Sequence, residues 1–184
     1  GGPTPEIREI RSVHHPARDP MTVLVLAAQP WAQDTVEVLQ RTHPDHVFAR
    51  VSTPTEMIAR LDHAALVLSL HWHWRVSPDI VSHWHCVGFH ASDLPNFRGG
   101  APIQNQVKRG ILDTKLTMFR LDEGLDTGPI LLQRALSLRG SMDEVLARIG
   151  PLVVEMTGAL LAGRLEEHPQ PEGGSCFTRA DALA

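Results

Sequence analysis

Three short apolar runs constrain this chain more than any other feature of it. They are Val23-Leu24-Val25-Leu26-Ala27-Ala28, Ala65–Leu70 (ALVLSL) and Cys86–Phe89. Runs this short, rich in Val and Leu and lacking polar alternation, fit strands buried on both faces. A further strand is expected over His46–Val51. Helix-like segments separate them: Trp31–Leu39, with Val36, Val38 and Leu39 amid polar residues, and Pro78–His83. Another opens at Thr53-Pro54-Thr55-Glu56, where Thr53 can cap, Pro54 suits the first turn and Glu56 stands three residues on. Strand and helix in alternation predict an α/β fold, a single doubly wound, mostly parallel sheet with flanking helices. Ligands of such sheets lie beyond the carboxyl ends of the strands. That directs attention to 70–77 (LHWHWRVS) and 90–102 (HASDLPNFRGGAP).

The second half continues the pattern. Lys115–Leu121 and Ile130–Leu138 read as strands joined by a tight loop over 122–129. Ser141–Leu165 reads as a long helix, with an apolar stripe through Val145, Leu146, Ile149, Leu152, Val153, Met156 and Leu160 and a capping box from Ser141 to Glu144. Residues 1–20, with Pro3, Pro5, Pro16 and Pro20, read as an N-terminal extension or tag remnant, and 21–184 as one catalytic-sized domain. A 42% hydrophobic content is enough for an unstapled core. The formal charge of −4 gives no basic field and counts against nucleic acid as a partner. No apolar run approaches the ~20 residues that span a bilayer, and the N-terminus lacks a signal segment, so the expectation is a cytoplasmic protein with no membrane contact. Cys86 and Cys176 have neither metal nor redox spacing relative to each other.

The chemistry-bearing candidates sit at the strand ends. His90 follows an apolar run directly and opens a loop dense in polar residues, glycine and proline, a composition that builds rigid loops and not core. Asp126-Thr127-Gly128-Pro129 forms a second such loop at the same mouth of the expected sheet. His71-x-His73 and His83-x-His85-Cys86 invite a metal reading, but no third ligand is spaced convincingly and no metal is expected.

The residues His90-x-Ser92-x-Leu94-Pro95-x-x-Arg98-Gly99, then Pro102, Gly110, Thr117 and Asp126-Thr127-Gly128-Pro129-Ile130, together resemble the folate-dependent formyltransferase family. The separation of His90 and Asp126 also resembles that family's histidine–aspartate spacing. The resemblance implies a formyltransferase-like, Rossmann-like catalytic domain that moves a formyl group from 10-formyltetrahydrofolate to an amine. It implies His90 as the group that donates to the oxyanion or shuttles the proton, and Asp126 as the group that orients it or binds the water through which the proton leaves. It also places the pterin ring between the loops 70–78 and 121–128, so Leu70, His71, Trp72, Trp74, Leu121, Glu123, Gly124 and Asp126 become candidate folate contacts. Trp72 and Trp74 either flank a planar ring, or one packs on the core while the other covers a loop. Ser92, Arg98, Gln104 and Asn105 are candidate oxyanion or acceptor contacts, Arg98 as a fork for an anion or as a structural ion pair.

The resemblance breaks at one position. The family's usual Asn-x-His reads Gly88-Phe89-His90 here. Residues two apart on a strand share a face, so Gly88 is expected to leave a gap beside His90, and losing one oxyanion donor costs ~10²–10³ in rate. Three readings are open. Another donor fills the place (His71, His73, Asn105 or a backbone N–H), the reaction uses a different acyl donor or acceptor geometry, or the chain is a weak or inactive relative. For the acceptor, the acidic balance and the short stretch after the catalytic segment argue against tRNA. Ala27-Ala28-Gln29-Pro30-Trp31 also lacks the Gly/Ser-rich phosphate cradle expected for a ribonucleotide acceptor. The expectation is a small-molecule amine, foremost a nucleotide-linked amino sugar. Formylation of an amino acid or hydroxylamine, hydrolysis of the formyl donor, and a catalytically impaired folate-binding relative are the alternatives. The apolar long helix, with the habits of relatives, suggests a homodimer.

Overall fold

The computed structural model describes residues 20–184; the extension expected over 1–20 lies, Pro20 apart, outside the described residues. The chain runs β1 (Thr22–Leu26), α1 (Ala32–Thr42), β2 (Val47–Val51), α2 (Pro54–Arg60), β3 (Leu66–Leu70), α3 (Pro78–His83), β4 (Cys86–His90) and a short β5 (Arg98–Gly99). It continues with α4 (Pro102–Lys108), β6 (Asp113–Arg120), β7 (Ile130–Ser137), α5 (Met142–Leu161), β8 (Cys176–Phe177) and α6 (Arg179–Leu183). The main sheet has the order β2-β1-β3-β4-β6-β7. Its first four strands are parallel, as expected for strands linked through helices. β6 and β7 run antiparallel because the loop between them is too short for a crossover.

Local signals set most boundaries. The Thr53 hydroxyl accepts the Glu56 N–H at 3.2 Å and the Ser141 hydroxyl accepts that of Glu144 at 3.2 Å, fixing the starts of α2 and α5. α1 runs to Thr42, beyond the expected Leu39. α5 stops at Leu161 instead of Leu165, because Gly163 turns into left-handed backbone (φ 69°) and ends the helix.

The sheet buries both faces. Val23, Val25, Leu66, Leu68, Val87 and Phe89 share one core with Leu39 of α1 and Val153 and Met156 of α5. Leu24, Leu26, Val67 and Cys86 share another with Met57 of α2 and Val81 of α3. On this second face the carboxyl ends of β3 and β4 carry Ser69, Gly88 and His90, which line a cavity instead of packing on a helix. The site therefore follows from where the covering helices stop. No helix among the described residues is long and apolar enough to cross a membrane.

Candidate active site

His90 is the last residue of β4 and is almost fully buried. Its Nε2 lies 2.7 Å from the carbonyl oxygen of Phe97. A carbonyl only accepts, so Nε2 carries the hydrogen and Nδ1 is the nitrogen left for chemistry. Nδ1 faces Asp126, whose Oδ2 stands 3.7 Å away and accepts the Gly99 N–H at 2.8 Å. The pair expected from sequence is thus brought together, held one step short of a direct hydrogen bond. Such contacts commonly tighten only when a substrate arrives.

The loop that presents them is braced from beneath. The Ser92 hydroxyl, fully buried, donates to the Asn96 carbonyl at 2.7 Å. Arg98 donates to Gln170 Oε1 at 2.6 and 3.1 Å, while the Gln170 amide donates to the carbonyls of Asp126 and Gly128, each at 2.8 Å. Asn105, also fully buried, spends its amide on the Gly100 and Thr178 carbonyls. Two glycines are obligatory here. A Cβ on Gly99 (φ 97°) would stand 2.1 Å from the Phe177 carbonyl oxygen, and one on Gly128 would stand 1.6 Å from that of Arg120. Four non-glycine residues adopt positive φ among the described residues: His71 (53°), Phe97 (57°), Ala101 (47°) and Asp126 (55°). Three of them line the cavity and the fourth supplies the carbonyl that holds His90. Left-handed backbone costs such residues roughly 1–2 kcal/mol each, strain characteristic of functional sites.

The cavity measures about 1010 Å³. Of the residues expected at it, Gly88, His90, Gln104, Asp126, His71, Trp72, Trp74, Leu121 and Gly124 line it. Five expectations are corrected. Leu70 points into the α1–α5 core, since alternation along β3 sends its neighbour Ser69 to the cavity. Glu123 is absent from the cavity lining, and its carbonyl accepts from Arg75. Ser92, Arg98 and Asn105 are spent inside the braced loop and are absent from the cavity lining. The gap expected beside His90 is corrected too. A Cβ on Gly88 would lie 2.9 Å from Leu121 Cδ2 and 3.1 Å from the Phe119 ring, so those side chains occupy the space. Phe119 pairs with Gly88 across β4 and β6, a contact that only the strand register reveals.

The facing loop is aromatic. Trp72 and Trp74 meet at 4.8 Å between ring centroids with planes 65° apart, so they form no parallel slot between them. Trp72 packs half-buried on the second core and Trp74 stays 44% exposed. The indole N–H of Trp72 is buried without a partner among the described residues. His71 rests its ring against Trp31, and burial holds its pKa down to about 4, with the charges of His90 and His73 acting in the same direction. His73 contacts Gln29, His83 contacts the Asp79 carbonyl, and no group of three or more His, Cys, Asp or Glu side chains gathers as metal ligands among the described residues. Sequence reasoning missed the C-terminal return altogether: Gln170 and Ser175, which brace the loop, and Arg179, which lines the cavity. A readable signal existed in Thr178-x-x-Asp181, which forms a full capping box.

Known proteins resemble this chain in both sequence and structure. Methionyl-tRNA formyltransferase of Halorhodospira halophila is 43% identical over 103 residues, 53% of this chain and 33% of that protein. That of Heliobacterium modesticaldum is 41% identical over 104 residues, 53% of this chain and 32% of that protein. The chain spans about a third of the length of these curated relatives. Among solved structures, methionyl-tRNA formyltransferase from Clostridium thermocellum superposes with a TM-score of 0.80 at 28% identity, covering 86% of this chain and 72% of that one. The formyltransferase PseJ from Anoxybacillus kamchatkensis shares the fold, with a TM-score of 0.69 at 23% identity, covering 89% and 88%. The expected exclusion of nucleic acid finds no support among these relatives, several of which are named for tRNA substrates. The formyl transferase family matches residues 10–145, well over half of the sequence, and the chain belongs to that family.

Proposed function

We propose that this chain transfers a formyl group from 10-formyltetrahydrofolate to a primary amine, with His90 and Asp126 handling the proton. The observation that carries the reading is the fixed tautomer of His90. With Nε2–H committed to the Phe97 carbonyl, the Nδ1 lone pair is free to take a proton from the attacking amine. Asp126, held by the Gly99 N–H, stabilises the imidazolium that results. The proton then passes to the departing folate nitrogen. The cavity suits the donor: it has room for a pterin and an acceptor together, and aromatic surface from Trp72 and Trp74.

For the acceptor we favour a small amine, foremost a nucleotide-linked amino sugar. The PseJ neighbour was crystallised with tetrahydrofolate and a UDP-linked formamido sugar. Methionyl-tRNA is the second reading, favoured by the 43% identity to an enzyme of that name. Mixing the chain with 10-formyltetrahydrofolate and a panel of amino sugars, amino acids, hydroxylamines and methionyl-tRNA, and following tetrahydrofolate release, tests both. Turnover with tRNA alone overturns the small-amine reading. Folate binding without turnover on any amine overturns formyl transfer.

A further inference from the structure

Attack on a formyl carbon pushes an electron pair onto its oxygen, and that charge needs a donor already in place. Four donors on the wall that carries the proton-handling pair are occupied. The His90 Nε2–H goes to Phe97, the Gly99 N–H to Asp126, the Gly100 N–H to Phe177 and the Asn105 amide to Gly100 and Thr178. The adjacent strand offers an alternative. β3 and β4 are parallel, with Ser69 opposite Gly88 and Leu70 opposite Phe89, so His71 leaves its strand level with His90. Adjacent strands lie about 4.8 Å apart, so two side chains leaving at one level can reach one small group.

Both histidines line the cavity, and the ring nitrogens of His71 hold no hydrogen bond among the described residues. Its left-handed backbone (φ 53°) and the Trp31 ring, 5.3 Å away between centroids, fix its direction. We propose that His71 supplies the N–H that holds the formyl oxygen as it becomes an oxyanion, doing the work a side chain at position 88 does not do here. Burial keeps His71 neutral at pH 7, leaving one N–H to donate and no charge to repel the imidazolium forming at His90. The step balances. The amine nitrogen bonds to the formyl carbon and the carbonyl electron pair moves to the oxygen under His71. The pair then returns as the bond from carbon to the folate nitrogen breaks. The amine's proton passes through His90 to that nitrogen.

The inference rests on the formyl-transfer reading, and its test separates the two. Glycine and asparagine both tolerate φ near 53°, so His71→Gly removes the donor without straining the backbone and His71→Asn restores an amide N–H. With the acceptor that the wild type uses, His71→Gly is expected to lower kcat ~10²–10³-fold, with KM for the folate within about threefold. His71→Asn recovers kcat to within about tenfold of wild type. A second readout needs no turnover: affinity for a folate analogue carrying a hydrated aldehyde in place of the formyl group, a tetrahedral mimic. His71→Gly weakens it about a hundredfold and leaves tetrahydrofolate binding within about threefold. Full kcat and full mimic affinity in His71→Gly overturn the proposal, as does a larger loss in Ser69→Ala, the neighbouring hydroxyl. His71-dependent binding of the mimic by a chain that formylates no amine supports the oxyanion site and removes the transfer reading instead.

Discussion

Along residues 90–101, after β4, polar groups are committed to one another or to the returning tail: His90 to Phe97, Ser92 to Asn96, Arg98 to Gln170, Gly99 to Asp126. Along residues 71–77, after the neighbouring β3, the contacts are mainly aromatic edges. His71 lies on Trp31 and Trp72 on Trp74, and the side-chain hydrogen bonds among the described residues run from His73 to Gln29 and from Arg75 to the Glu123 carbonyl. On the proposed formyl-transfer reading the contrast separates two tasks. Proton transfer tolerates errors of only a fraction of an ångström, so its wall is over-determined by hydrogen bonds. Holding a planar ligand needs surface, so the other wall keeps aromatic faces open to the cavity.

The polar wall should break sharply. Asp126→Asn tests it with the least collateral damage, because asparagine tolerates left-handed backbone and keeps an oxygen for the Gly99 N–H. It removes the charge that supports the imidazolium, and we expect kcat to fall ~10²–10⁴-fold with the unfolding midpoint unchanged. His90→Ala should match it within tenfold, and the double variant should lose little more, since the two act as one unit. Additive losses in steady-state kinetics would mean that they act separately.

Gln170→Ala attacks the same wall from behind. Its side chain ties Arg98 to the carbonyls of Asp126 and Gly128, and its removal leaves partly buried groups unpaired. We expect ~2–3 kcal/mol of lost stability in denaturant unfolding, with a kcat loss well below that of Asp126→Asn. Gly88→Ala probes the filled gap. Its Cβ meets the flexible end of Leu121 and the ring of Phe119, so overpacking of ~1–2 kcal/mol is expected. A stabilised variant would show that the cavity floor is looser than the contacts imply.

The aromatic wall should respond gently and in binding only. Trp74 is 44% exposed and lines the cavity, so Trp74→Ala should weaken tetrahydrofolate binding roughly threefold to tenfold, the worth of one aromatic contact. In calorimetry the unfolding temperature should barely move, and kcat should stay within twofold.

How much of this was legible beforehand also divides between the two walls. The sheet could be read because each strand carries its own period and each helix start its own cap, as at Thr53 and Ser141. His90 and Asp126 could be read because their loops could not have been core. Whether Arg98 and Asn105 serve a ligand is not legible in the sequence, because a polar side chain looks the same there whether it faces a ligand or a buried carbonyl. What separates the two is a partner such as Gln170, 72 residues away in the chain. Gly88 was misjudged for a related reason: the space beside a glycine belongs to whichever strand pairs with it, and that register is non-local. The C-terminal return, two residues of β8 and five of α6, is too short to carry a period of its own.

The smallest expected effect bears on His71, the residue at which the two walls meet. Its folded pKa of about 4 lies below the ordinary 6.5, because burial disfavours the charged ring. Between those values the unfolded chain binds the proton and the folded chain does not, so protons favour unfolding as the pH falls from 6.5 towards 4. Above pH 6.5 the ring is neutral in both states and contributes no slope. His71→Asn removes this titration, so its stability should fall less steeply than the wild type's across that window. A difference of about 1 kcal/mol is expected by pH 4, after allowing for the solvent that reaches a half-buried ring. Denaturant unfolding of both proteins at pH 7, 6, 5 and 4 reads it directly, because carboxylates that titrate in the same range are common to the pair and cancel. Parallel curves would mean that the ring is hydrated and free to charge, and the aromatic wall would then be wetter than its packing on Trp31 implies.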